Sequence, residues 1–414
     1  MKKVLFLLFA LLIMVSEASA KASSHKASHH PHYNQRDLEY TAVIDAGSSG
    51  SRIFLYQLMR QHGQLRLKDL FSDEPATSGI SSFVDHPEQA GSSGVQPLLL
   101  ALQDYLAKNK IETTAVEVNV LGTAGMRMVA SPAAQKIYEA ISSQIVSSGF
   151  KLGRVETITG VSEGLYSWID VNELLGVFKS KAQTRAMIEI GGASAQIAYE
   201  ISKPSGDDSV KFSINDQTYH VFSESFLGLG RNQSRKLMVD HASTDEVQDH
   251  NPCYPEGLSF VDRKVGAERI TGYFDIARCK KLYQSVITEK LKPAEFAQSM
   301  KAQTFIGVGA GNPYGTLSGL LHAWKLKPNA LYALGEIASK YCTKGWDDLS
   351  KRFGDSAFIQ TQCADSIFVH EFIFGGSGLA LRPRQIISMH KIHNKEPSWT
   401  RGYVIFAHQS SRPL

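Results

Sequence analysis

The sequence predicts an α/β protein of two domains that share one local design, and three observations predict it. A short buried-strand pattern, Thr41-Ala42-Val43-Ile44, leads through a Gly/Ser turn to a second strand, Ile53-Phe54-Leu55-Tyr56. The design returns as Ala186-Met187-Ile188-Glu189-Ile190, the turn Gly191 to Ala195, and Gln196-Ile197-Ala198-Tyr199. An acid precedes the glycines in both copies, Asp45 and Glu189, 144 residues apart, which is a repeat at the scale of a whole domain. Between the copies, 94–108 and 132–148 carry helical apolar stripes, and Val116 to Leu121 reads as a strand.

The remaining elements follow in chain order. Lys2 and Lys3, the apolar run Val4 to Val15 and the small-x-small site Ala18-Ser19-Ala20 read as a secretory signal peptide, residues 1–20, cleaved after Ala20. The run is too short to span a bilayer comfortably, so no permanent membrane anchor is expected; the alternative is a retained N-terminal anchor. Residues 21–37 are polar, with His25, His29, His30 and His32, and read as a disordered tail rather than a weak metal tract. Order should begin near Leu38. A helix starting near Glu163 should end within Glu173 to Lys179, 205–264 should be loop-rich, and 378–389 should be helical.

Composition narrows the class. The chain has 414 residues, long enough for two cored domains, and its net charge of +4 gives no nucleic-acid surface. Cys253, Cys279, Cys342 and Cys363 make an even count, which favours disulfides in an exported chain. Three pairings are possible; Cys253–Cys279 with Cys342–Cys363 is the simplest, because each closes a short local loop. No Cys-x-x-Cys suggests zinc, and no Gly-x-x-x-x-Gly-Lys-Ser/Thr loop is present.

The turns carry chemistry. Without bulky side chains, backbone N–H groups can approach a phosphate and donate to its oxygens, and Ser48, Ser49 and Ser194 add hydroxyls. One such turn is weak evidence, since most are ordinary hairpin tips. Two that face each other could grip a phosphate chain, with their acids holding a hard cation or its waters. Gly122-Thr123-Ala124-Gly125 follows a strand and makes a third small-residue loop. Gly160-Val161-Ser162-Glu163-Gly164 sets a carboxylate between glycines; alone it would be a solvated turn, but beside these loops Glu163 is a candidate general base.

At this point the chain resembles the ecto-apyrases, the nucleoside triphosphate diphosphohydrolases of the actin-like superfamily. The resemblance rests on the motifs at 44–52 (IDAGSSGSR), 122–127 (GTAGMR), 160–176 (GVSEGLYSWIDVNELLG) and 189–196 (EIGGASAQ). Two landmarks add to it: 251–257 (NPCYPEG) and 399–403 (WTRGY). It implies two RNase-H-like (actin-like) lobes with the active site in the inter-lobe cleft. The first lobe would take 38–162 and 380–414, the second 163–379. The implied roles are Glu163 as base, Ser194 and Gln196 orienting water, and Asp45 and Glu189 organising Mg²⁺, Ca²⁺ or another hard divalent cation through its water shell. Ser48, Ser49, Gly50, Arg52, Thr123, Ala124, Gly192 and Ala193 would line the phosphates, and Trp399 would support the cleft. Glu189 departs from the family's usual Asp, and the extra methylene could move the metal or its water. Tyr314 and Phe374 are the candidates for stacking on a base, with core packing the alternative.

The expected protein is therefore an apyrase, secreted or periplasmic and monomeric, that cuts terminal phosphates from nucleoside tri- and diphosphates down to the monophosphate. Two alternatives remain: an exopolyphosphatase or guanosine-pentaphosphate phosphatase on the same fold, and a non-catalytic nucleotide-binding module. The 166–176 stretch, the Asn-Pro-Cys landmark and the signal peptide favour the apyrase over the first. The presence of Glu163 favours it over the second.

Overall fold

The computed structural model describes residues 38–410, apart from 62–63, 75–77, 203–208, 243–249, 268, 292–299, 301–302 and 309–315. The expected signal peptide, the 21–37 tail and Tyr314 lie outside the described residues. From Leu38 onward the chain forms one compact unit.

Strands β1 (Leu38–Ala46), β2 (Ser51–Gln61) and β3 (Gln64–Asp73) make an antiparallel meander. β4 (Val116–Gly122) and β5 (Lys151–Thr157) add in parallel on the other side of β1, giving the order β3-β2-β1-β4-β5. The alternation of side chains along a strand divides β1 between two cores. Ala42, Ile44 and Ala46 pack on α1 (Gln96–Lys108) and α3 (Ser131–Ser147), whose Leu98, Leu102 and Leu106 and Ile137, Ile141 and Ile145 recur at helical spacing. Val43 faces the opposite core. A four-residue helix, α2 (Ala124–Arg127), follows β4.

α4 (Gly160–Leu174) then carries the chain across to the second sheet. It is buried all round between the two sheets. The helix expected to run on toward Lys179 breaks at Gly176, whose φ of 72° suits glycine, and a short α5 (Val177–Ser180) follows.

The second sheet repeats the first. β6 (Ala186–Ile190) and β7 (Ser194–Glu200) answer β1 and β2 as an antiparallel hairpin. β8 (Ser209–Ile214) and β9 (Gln217–Leu227) extend it, and α6 (Arg231–Ala242) follows. Three two- or three-residue strands, β10 (His250–Asn251), β11 (Ser259–Phe260) and β12 (Ile270–Gly272), form a small separate sheet. After α7 (Ile276–Lys290), β13 (Phe305–Val308) pairs in parallel with β6. Helices α8 (Thr316–Ala323), α9 (Leu334–Cys342), α10 (Trp346–Phe353), α11 (Ala357–Gln360) and α12 (Gln362–Phe374) come next, and the outer core they build with α6 and α7 packs on Ile188 and Ile190. β14 (Ile386–Ser388) closes the order β14-β13-β6-β7-β9-β8, and α13 (Trp399–Ser410) lies on α4 between the sheets. The molecule is thus a two-lobed α/β fold, layered helices, sheet, α4 with α13, sheet, helices.

Two expectations need correction. The 205–264 stretch is not mainly loop: it holds the β8–β9 hairpin and α6. Its turn, Asn215-Asp216, has positive φ at both residues, 50° and 60°, the geometry that matches the twist of paired strands. The 378–389 stretch is not an α-helix: it holds one 3-10 turn, Pro383–Gln385, and a short strand. Pro383 removes a backbone donor, Ala380 sits at φ 49°, and Ile386-Ile387-Ser388 pairs with β13. Residues 386–388 therefore pair into the second sheet.

Disulfides link Cys253 to Cys279 and Cys342 to Cys363, with Cα separations of 4.9 and 6.1 Å. The sequential pairing is the one formed. No helix among the described residues is long and apolar enough to cross a membrane.

The contact of α13 with α4 depends on Gly402. A Cβ there would fall on the backbone carbonyl of Tyr166. Neither helix can withdraw, because Tyr166 packs on Tyr403 at a 5.6 Å ring separation and on Phe406 at 5.5 Å. Gly402→Ala should cost about 1–3 kcal/mol, as overpacking typically does, despite the helix propensity gained. Chemical denaturation measures it, and an unchanged midpoint would contradict the close packing.

Candidate active site

The two hairpin turns meet. A Cβ on Gly192 would lie 2.5 Å from Ser48 Oγ, so the glycine at that position lets the two turns touch. The turns enclose a cavity of about 340 Å³. Asp45, Gly47 to Arg52, Thr123, Ala124, Glu163 and Glu189 to Ser194 line it. The expected phosphate-lining residues Ser48, Ser49, Gly50, Arg52, Thr123, Ala124, Gly192 and Ala193 are all on its wall, as are Asp45, Glu163, Glu189, Ser194 and Trp399.

Local sequence places each acid. Asp45 stands near the end of β1 and Glu189 near the end of β6, each just before its turn. Glu163 sits in the first turn of α4, where the helix dipole favours a carboxylate. That helix starts cleanly because Thr159 caps it, accepting from the Ser162 backbone N–H at 3.1 Å.

Gln196 does not line the cavity. It stands behind Ser194, buried, and its amide donates to Ser194 Oγ at 2.5 Å, to Ser225 Oγ at 3.0 Å and to Glu163 Oε2 at 3.3 Å. Arg127, at the end of α2, completes the group. Its guanidinium donates to Glu163 Oε2 at 2.8 Å and to Ser194 Oγ at 3.1 Å. Glu163, Ser194, Gln196 and Arg127 thus form one hydrogen-bonded cluster under the cleft floor.

The electrostatics of the floor are unusual. Burial raises the Glu163 pKa, and the Arg127 charge opposes that rise. Burial pushes Asp45 up to about 7, with the Arg52 charge and a hydrogen bond from Trp399 pulling the other way. Burial and the nearby Glu163 push Glu189 up to about 8, although Ser167 donates to its Oε2 at 2.7 Å. Three mutually repelling carboxyls sheltered from water are a poor arrangement for empty space and a good one for a cation. All three offer hard oxygen donors, the chemistry that suits Mg²⁺ or Ca²⁺. No cluster of three or more directly ligating His, Cys, Asp or Glu residues exists among the described residues.

Phe374 does not reach the site. It packs beside His370 against the outer core, at the end of an α12 that is buried along nearly its whole length. Besides Trp399, Phe358 is an aromatic residue on the cleft wall, with the Arg231 guanidinium 5.1 Å from its ring centre.

Sequence reasoning passed over Arg127, Arg231, Asn232, Lys264, Phe358 and Glu74, although all but Arg127 line the cavity. The signal for Arg127 was present in Gly122 to Arg127: a single helical turn after the loop brings its last side chain back over the site. Arg231 and Asn232 follow Gly228 and Gly230, and their backbone N–H groups donate to the carbonyls of Gly191 and Gly192 at 2.9 and 2.8 Å. That docks the start of α6 on the second turn. Nothing in the sequence marked Phe358, which comes from a distant helix.

Two opposed small-residue turns, a carboxylate cluster and a two-lobed α/β frame define a phosphohydrolase of the actin-like kind. The chain belongs to the GDA1/CD39 (nucleoside phosphatase) family, whose model matches residues 32–413. It is 28% identical over 411 residues to the nucleoside-triphosphatase ntp-1 of Caenorhabditis elegans, covering 90% of this chain and 74% of that one. It is 26% identical to ectonucleoside triphosphate diphosphohydrolase 2 of Mus musculus, covering 89% of this chain and 82% of that one. Among solved structures, nucleoside triphosphate hydrolases from Neospora caninum superpose with a TM-score of 0.62 at 16% identity, covering 89% and 92% of the two chains. An exopolyphosphatase from Cytophaga hutchinsonii superposes with a TM-score of 0.51 at 14% identity, covering 90% and 99%. These two likenesses speak for the fold.

Proposed function

We propose that this protein is an exported apyrase that removes terminal phosphates from nucleoside tri- and diphosphates by direct attack of water. The observation that carries the reading is the cluster of Glu163 with Arg127, Ser194 and Gln196, set where the two turns face each other. In this reading the first lobe is 38–162 with the segment after β14, and the second runs from 163 through 388.

The phosphate chain lies between the turns. Backbone N–H groups and the hydroxyls of Ser48, Ser49 and Thr123 donate to its oxygens. Glu163 accepts the proton of the attacking water, and Ser194, held by Gln196, orients that water. Both reacting partners are fixed before reaction, which is where phosphoryl transfer gains most of its rate. Asp45 and Glu189 would hold a hard divalent cation through its waters; when bound, it neutralises charge that builds on the phosphate oxygens. The disulfides and the N-terminal sequence support export.

The test is phosphate release from ATP, ADP, GTP and UTP, and from inorganic polyphosphate, with Mg²⁺ or with EDTA. The reading expects release from tri- and diphosphates that EDTA abolishes. Turnover of polyphosphate alone would favour the exopolyphosphatase alternative. Binding of nucleotide without any release would favour the non-catalytic module.

A further inference from the structure

Among the buried polar residues of α4 are Glu163, Ser167 and Asp170. Spacings of four and three put them on one helical face. Each holds a different partner at or behind the cleft. Glu163 meets Arg127, and Ser167 donates to Glu189 at 2.7 Å. Asp170, fully buried, accepts from the Ser398 backbone N–H at 2.7 Å and pairs with Arg401.

Those last contacts hold the head of α13. Arg401 is also bonded to Asp69 at 2.9 Å, and Asp69 pairs with Lys395 at 2.7 Å. Thr400 bonds Tyr56 at 2.7 Å. Between these anchored residues stands Trp399, which lines the cavity together with Asp45 and lies where it lowers that carboxyl's pKa. A chain of contacts thus runs from Asp170 to the start of α13, whose Trp399 shares the cavity wall with Asp45. The core of a helix that crosses between the sheets has no packing need for an ion pair. An apolar side chain would cost less there, because a buried pair must offset its own desolvation.

We propose that Ser167 and Asp170 are positioning residues that set the two opposed acids, Ser167 acting on Glu189 directly and Asp170 acting on Asp45 through Trp399. The inference rests on the proposed hydrolase reading and deepens it. Ser167 also accounts for a glutamate at 189: the longer side chain is fixed by a partner on a neighbouring element.

The experiment compares wild type, Ser167→Ala, Asp170→Asn, Trp399→Phe and the Asp170→Asn/Trp399→Phe double variant. Asn keeps the size of Asp170 and can still accept from Ser398, but it drops the charge that holds Arg401. Two readouts need no turnover. Acrylamide quenching should show a newly accessible tryptophan in Asp170→Asn, and the double variant should show no gain over Trp399→Phe. Binding of Mn²⁺ alone, followed by its magnetic resonance signal, should weaken about 10–100-fold in Ser167→Ala, the usual effect of losing such a partner. In steady state, Ser167→Ala and Asp170→Asn should lower kcat by a similar factor. Asp170→Asn should add little to Trp399→Phe, because both act on one contact. Quenching in Asp170→Asn equal to wild type, or kcat losses that multiply in the double variant, would overturn the Asp170 route. Wild-type Mn²⁺ affinity in Ser167→Ala would overturn the Ser167 route, and that variant removes one hydroxyl, so it tests the idea even if Asp170→Asn fails to fold. If the wild-type protein releases no phosphate, the hydrolase reading falls, and the quenching and Mn²⁺ results still decide the positioning.

Discussion

Glu163→Gln should lower kcat by about 10²–10⁴-fold while nucleotide still binds, because general-base loss typically costs that much. The amide keeps the shape of the carboxylate and can still accept from Arg127. It cannot take a proton from water. Binding should survive because the phosphate contacts come from the two turns and not from α4. The effect should fall on kcat and kcat/KM together, the mark of an interaction made in the transition state. Single-turnover phosphate release and nucleotide titration measure the two halves. A variant with wild-type kcat would remove Glu163 from the chemistry.

Arg127→Ala should be the next most damaging change, at about 10²–10³-fold in kcat/KM, the range for losing one preorganised charged donor. The guanidinium bonds both Glu163 and Ser194, so its loss disorders base and water-orienting group together. It also predicts a pH effect of definite sign. Burial raises the Glu163 pKa and Arg127 lowers it, so removing Arg127 leaves the rise unopposed. The base works only when ionised. The acid limb of the pH–rate profile should therefore move to higher pH, and raising the pH should recover part of the lost activity. Arg127→Lys should fall between the two, since an ammonium restores the charge but not the two-pronged geometry. A profile unmoved on the pH axis would show that Arg127 does not tune Glu163.

The hairpins were legible because their signal is local. Strand alternation, small-residue turns and an acid before each turn all lie within about ten residues, and the repeat exposed the pair. Glu163 and a helix starting near it were legible for the same reason. The β8–β9 hairpin was missed because its turn is Asn-Asp rather than a glycine turn, and because β9 carries Ser223 and Ser225 on a face that meets α4. β14 was missed because a three-residue edge strand has no period of its own; only β13 beside it makes it a strand. At the site, contacts that join distant segments were the hidden ones. Arg127 to Ser194 and Ser398 to Asp170 depend on how the two sheets enclose α4 and α13, and Phe358 to Arg231 on how α11 meets the start of α6. Phe374 holds its ring against the outer core, the packing alternative, because it ends an α12 that is buried along nearly its whole length.

The central claim is that the cleft delivers water to the terminal phosphorus of a nucleotide. Hydrolysis of ATP and of ADP in H₂¹⁸O with Mg²⁺, followed by mass analysis of both products, tests it most directly. The account predicts one ¹⁸O in each inorganic phosphate released and none in the nucleotide product, with Glu163→Gln abolishing the labelled phosphate. Label in the nucleotide, or release of pyrophosphate in place of phosphate, would contradict it.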